Sequence, residues 1–198
     1  QHKLFLMLIV TLALTLVFDG ASRVVDRVPG QAAHIANWAA NMLLYLGVPL
    51  IPCLWVLYAD FQLFHDESRL KRYGVLIWSS MALNAAMAIG SVFTGWYFTV
   101  GPDNVYRRGP LFLVHSSISI LILLYTLYFI VKHRNRVDRK HFNTLLFFIV
   151  PPFVSGILQS LIYGLLLVQC GLTLSALLLH FNIQDKRLDS DYLTGTFN

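Results

Sequence analysis

The stretch LFLVHSSISILILLYTLYFIV, residues 111–131, holds no charged side chain, and it runs directly into KHRNRVDRK, residues 132–140, where Lys and Arg crowd together. An α-helix rises about 1.5 Å per residue and the hydrocarbon core of a bilayer is about 30 Å thick, so some 20 apolar residues make one crossing. An uncharged run that ends in a basic cluster therefore reads as a helix leaving a membrane. Outward from it the pattern recurs, giving apolar segments at 4–18, 36–60, 74–98, 110–131, 142–163 and 165–184. All six are read as helices. Backbone polar groups in lipid must bond within their own segment, and a strand array would need short alternating segments, which are missing here. The expected fold is all-α, an integral membrane bundle with six transmembrane helices, and the turn between the last two falls near Gly164 or Gly171.

Composition supports this. Hydrophobic residues make up 57% of the 198 and charged residues 13%, with a mean hydropathy of +0.63, whereas soluble domains average about 45–50% and about 25%. Soluble, collagenous, disordered and disulfide-framework classes are excluded. The net charge of +5 would suit nucleic acid in a soluble protein, but here it follows from topology, so no nucleic-acid partner is expected. Cytoplasmic connections hold the excess of Lys and Arg. With the N-terminus inside, the inner connections hold Lys3; Arg69, Lys71 and Arg72; Lys132, Arg134, Arg136, Arg139 and Lys140; and Lys186 and Arg187. The outer ones hold only Arg23, Arg27, Arg107 and Arg108. This places the C-terminus in the cytoplasm, in a multi-pass membrane protein. Trp38, Trp96 and Tyr97 at the outer ends and Tyr58 and Tyr73 at the inner ends are read as interfacial anchors.

Within the spans, Ala82, Ala86 and Gly90, and likewise Ser91 and Gly95, recur every four residues as small faces for close helix packing. Pro49 and Pro52, and Pro151 and Pro152, each remove a backbone donor and are expected to kink their helices. Cys53 and Cys170 have no metal or redox spacing and are read as buried small hydrophobes. Of seven histidines only His115 and His180 lie in spans, where hydrogen bonding outweighs ligation; His133 and His141 are read as solvated. No metal site, cofactor or catalytic residue is expected in this chain. Tyr106, Arg107 and Arg108, in the outer loop 99–109, are candidates for an anionic ligand, because Arg presents forked donors to carboxylate or phosphate. Asn84 and Gln159 carry uncharged amides inside the bilayer and need partners, either on another helix or on a ligand. Trp55 and Trp78 either pack or line such a pocket. The basic run 132–140 would attract anionic lipid.

The final stretch, Leu188-Asp-Ser-Asp-Tyr-Leu-Thr-Gly-Thr-Phe-Asn198, follows the last span and two basic residues. Asp191-x-Leu193-Thr194-Gly195-x-x-Asn198 resembles the opening of the GGDEF domain of diguanylate cyclases, at the junction of linker helix and catalytic domain. The membrane part is similar to the multi-helix regions in front of bacterial GGDEF and histidine-kinase modules. The residues behind that likeness are Tyr106 to Leu111, the loop Lys132 to His141, the Pro151-Pro152 pair, and Gln159 with Tyr163-Gly164. The resemblance implies a bundle at 1–184 and, at 185–198, a cytoplasmic linker with the first residues of an output domain. It implies a longer protein, seven-helical with one helix before Gln1, whose output would make cyclic di-GMP from GTP with Mg2+. Leu174, Phe181 and Leu188, spaced by seven, would form a seam for a homodimer, with Leu188, Asp191, Leu193, Thr194, Gly195 and Asn198 forming the output junction. An unidentified small molecule would be the stimulus and the lipid bilayer the constant partner. Two alternatives stay open: the sensor of a histidine kinase, and a small transporter or membrane enzyme complete in itself.

Overall fold

The computed structural model describes residues 2–137, 139–162 and 167–188. It divides into two compact units, residues 1–126 and 127–198. In the first lie α1 (His2–Val25), α2 (Gln31–Gly47), α3 (Leu50–Phe64), α4 (Glu67–Thr94), the strands β1 (Phe98–Val100) and β2 (Tyr106–Arg108), and the start of α5 (Phe112–Lys132). The second holds the end of α5, a short 3-10 turn at Arg134–Arg136, α6 (Arg139–Leu161) and α7 (Leu167–Leu188). Among the described residues, five stretches are long and apolar enough to cross a membrane: Lys3–Val25, Gln31–Phe64, Glu67–Thr94, Phe112–Lys132 and Phe142–Leu161. The apolar part of α7, Leu167–Leu179, is shorter. Large side chains such as Phe93, at 87% exposure, and Leu161, at 77%, turn away from the protein along these helices. Water would not tolerate such continuous apolar surface, but lipid does. The all-α membrane bundle is thus the fold, and the protein is multi-span.

The second apolar segment is two helices. Pro49 has no N–H to give to the carbonyl of Tyr45, four residues back, and the chain breaks between Gly47 and Leu50. Pro52 falls in the first turn of α3, where an N–H would have no helical acceptor, so it costs little. In α6, by contrast, Pro151 and Pro152 lie within a continuous helix.

At one end of the first unit, α3 stops at His65 in a left-handed conformation and α4 starts at once. The Asp66 carboxylate accepts from the Ser68 N–H at 2.8 Å and the Arg69 N–H at 3.2 Å, an N-cap that satisfies two otherwise orphaned donors. The Arg69 side chain returns to Asp60, 2.8 Å from Nε to Oδ1, and its guanidinium lies 3.8 Å from the centre of the Phe64 ring. Asp60 is buried at 3% exposure.

At the opposite end, the 99–109 segment is not an irregular loop. β1 and β2 form an antiparallel hairpin with Phe98 opposite Arg108 and Val100 opposite Tyr106. The connecting Gly101-Pro102-Asp103-Asn104 is turn chemistry, and Asn104, at φ 54°, occupies the left-handed region that Asn tolerates.

Two expectations about packing change. The face that α4 buries is Asn84, Ala88 and Ser91, whereas Ala82 and Ala86 are exposed. Tyr97 and Tyr58 are buried among protein side chains and are not headgroup anchors.

Candidate ligand-binding site

The hairpin end is fastened by side-chain amides. Asn104 Nδ2 donates to the carbonyls of Val25 at 2.7 Å and Val28 at 2.8 Å, holding the α1–α2 turn. Asn37 Nδ2, from α2, donates to Asn104 Oδ1 at 3.0 Å, and Asn41 Nδ2 donates to Asn37 Oδ1 at 2.8 Å. Asp26 Oδ1 accepts the Tyr106 N–H at 2.9 Å and lies 3.3 Å from Asn37 Nδ2. Asn37, Asn41 and Asn104 are all buried, so these bonds are sheltered from water and each unmade one would carry a desolvation cost.

From Tyr106 the bonds run inward. Its hydroxyl meets that of Tyr45 at 2.8 Å, and Tyr45 also donates to the Tyr97 carbonyl at 3.2 Å. The Tyr45 ring stacks on Tyr97 and Phe98, and His115 lies against both tyrosines at 4.7 and 4.9 Å between ring centres. Asn84 sits beneath them. Its Nδ2 donates to the Tyr45 carbonyl at 3.0 Å and its Oδ1 lies 3.1 Å from His115 Nδ1. The Tyr97 hydroxyl points to the same amide, 3.5 Å from Asn84 Oδ1. A chain of hydrogen bonds therefore links the hairpin to α2, α4 and α5.

Above this cluster lies a cavity of about 440 Å³ lined by Arg27, Pro29, Gly30, Gln31, His34, Pro102, Asp103 and Asn104. Its walls are the α1–α2 turn, the start of α2 and the hairpin turn, and Asn104 belongs both to a wall and to the fastening.

Of the residues marked for ligand binding, Tyr106 and Asn84 come together through Tyr45. Strand alternation parts the two arginines. Arg107 is exposed and pairs with Asp103 at 2.7 Å, whereas Arg108 is half-buried with its guanidinium 4.2 Å from the Phe112 ring centre. Gln159 belongs to the second unit, where its Oε1 accepts the Val168 N–H at 3.0 Å at the start of α7. Trp55 is fully buried against Tyr58, and Trp78 is half exposed. His115 is a hydrogen-bonded core residue, as expected, but His133 is not simply solvated: its Nδ1 lies 2.9 Å from the Phe129 carbonyl at the end of α5. Cys53 is buried and Cys170 is exposed. The side chains of His180, His141 and Leu188, and all of Asp191, Leu193, Thr194, Gly195 and Asn198, lie outside the described residues. No group of three or more His, Cys, Asp or Glu that could hold a metal ion occurs among the described residues.

The fastening residues escaped the sequence reading. Asn37, Asn41 and Tyr45 recur every four residues, a polar stripe in an apolar helix that periodicity could have exposed.

In the second unit Pro152 leaves the Phe148 carbonyl without its helical donor, and Ser175 of α7 fills the place, Oγ to O at 2.7 Å. A β-carbon on Gly171 would lie 2.7 Å from the Pro151 carbonyl oxygen and would also strike Ser155 Oγ. The bare glycine thus lets α7 approach α6 where the prolines lie.

No curated protein and no solved structure matches the chain. A family model described as the N-terminal 7TM region of histidine kinase matches residues 1–190. With six apolar helical segments and almost all of its length matched, the chain belongs to the family of N-terminal seven-transmembrane regions of histidine kinases.

Proposed function

We propose that this chain is the sensory and signal-transmitting membrane region of a bacterial inner-membrane receptor, with the hairpin end outside and α7 leading to a cytoplasmic output domain. The match over residues 1–190 carries this reading. The charge asymmetry of the connections supports the orientation. Cysteine substitutions at Pro102 and Asn135, labelled in intact cells with a membrane-impermeant thiol reagent, test it: labelling at 102 alone is expected, and labelling at 135 alone would reverse the topology.

The family description favours a histidine kinase as the output. Signalling would then be a population shift between two dimer geometries, driven by a ligand with unequal affinity for them. Leu174 and Phe181 on α7 are exposed, which suits a dimer seam continuing into the cytoplasm. A second reading has its own observation: Asp191-x-Leu193-Thr194-Gly195-x-x-Asn198, which resembles a GGDEF opening, begins just after the matched residues. Under it the output is a diguanylate cyclase using GTP and Mg2+, and Leu188 to Asn198 form the junction. The protein as encoded in its host, assayed in membranes, separates the two. Label transferred from ATP to a histidine supports the kinase, and cyclic di-GMP made from GTP supports the cyclase.

A further inference from the structure

We infer that the cavity between the α1–α2 turn and the hairpin turn is the stimulus site, and that it takes a small oxyanion, a carboxylate or a phosphate group. This deepens the sensory reading and rests on it for its biological role. At about 440 Å³ the cavity has the size of small-molecule sites, which run from about 300 to 1,000 Å³.

Its charge balance sets the ligand class. Asp103 is the one acidic residue in the lining, and Arg107 already neutralises it at 2.7 Å. Arg27 is differently placed. Among the described residues, only its Nε comes near a carboxylate, 3.7 Å from Oδ2 of its neighbour Asp26, whose Oδ1 is engaged by the Tyr106 N–H and the Asn37 amide. The Arg27 guanidinium, on a side chain 78% exposed, therefore keeps most of its capacity for a forked partner. His34 and Gln31 add further side-chain nitrogen donors to the lining. A cation would meet Arg27 and find no uncompensated carboxylate.

Occupancy has a physical way to matter. The two turns that form the walls are tied by Asn104, and Asp26 in one of them holds the backbone of Tyr106. An oxyanion that bridged the walls would favour one spacing of the turns. That spacing is read by the Tyr106–Tyr45 bond and, beneath it, by Asn84 and His115.

The test uses the full chain in phosphatidylcholine nanodiscs, titrated calorimetrically with succinate and with inorganic phosphate, and with methylammonium as the cationic control. Saturable binding of an oxyanion is expected, with none of methylammonium. Arg27→Gln should weaken it about tenfold, the loss of one charge-assisted contact, and Asp103→Asn should tighten it. Preference for succinate would mark an organic acid, and preference for phosphate a phosphate-bearing ligand; either supports the assignment. No saturable oxyanion binding, or binding that neither substitution changes, overturns it. That failure is distinct from failure of the sensory reading, which would show as an output activity insensitive to any substitution in the bundle.

Discussion

Asn84 Nδ2 donates at 3.0 Å to the carbonyl of Tyr45, the acceptor that Pro49 leaves without its helical N–H. Ser175 and Phe148 repeat the arrangement below Pro152 in the second unit. In lipid, where water cannot take over, these two freed carbonyls are served by polar side chains of neighbouring helices. Ser175→Ala should therefore destabilise the chain by about 1–2 kcal/mol, because it removes this buried hydrogen bond. Pro152→Ala restores the intrahelical donor, so the double variant should lose less than the sum of the singles. Thermal unfolding of the four proteins in detergent forms the cycle; strict additivity would refute the linkage.

Gly171→Ala should cost about 1–3 kcal/mol through overpacking, since the added carbon meets the Pro151 carbonyl and Ser155 Oγ. Ser155→Ala should relieve only part of it, because the Pro151 carbonyl remains. Melting temperatures of the single and double variants decide this, and an unchanged melting temperature for Gly171→Ala would count against the close approach.

Asn104→Ala removes the bonds to Val25, Val28 and Asn37 and also forces alanine to a φ of 54°. Asn104→Gly loses the same bonds without the backbone penalty of about 1–2 kcal/mol. Both should speed amide exchange in residues 98–108, alanine more than glycine. Equal protection in all three proteins would show that the hairpin does not depend on this side chain.

Arg69→Met strands the Asp60 carboxylate, which is buried at 3% exposure. Losing one partner of a buried pair costs about 3–5 kcal/mol, and replacing both with apolar residues costs far less. Asp60→Leu combined with Arg69→Met should accordingly recover much of the stability lost in Arg69→Met alone, as judged by denaturant or thermal midpoints. A double variant no better than the single would refute the pairing.

The spans were legible because bilayer thickness imposes a length that composition reveals directly, as at residues 111–131. The helix break at Val48 followed less clearly. Proline marks a lost donor, but whether a helix bends or stops depends on which neighbour serves the freed carbonyl, as Asn84 does for Tyr45. Asn84 itself was singled out as needing a partner, and its helix-to-helix bonding is what the structure shows. The site was less legible still. Asn37 and Asn104 are separated by most of the first unit's chain, and nothing local in either segment announces the other. Arg107 and Arg108 are candidates for an anionic ligand by residue type alone, but a strand sends consecutive side chains to opposite faces.

The Phe148 carbonyl takes its bond from Ser175 at one position along α7. Were α7 to slide by a single turn past α6, Ser175 would lose its bond to the Phe148 carbonyl, and a side chain in place of Gly171 would collide with Pro151. Travel of α7 along the helix axis is thus opposed at two places a turn apart, like a detent.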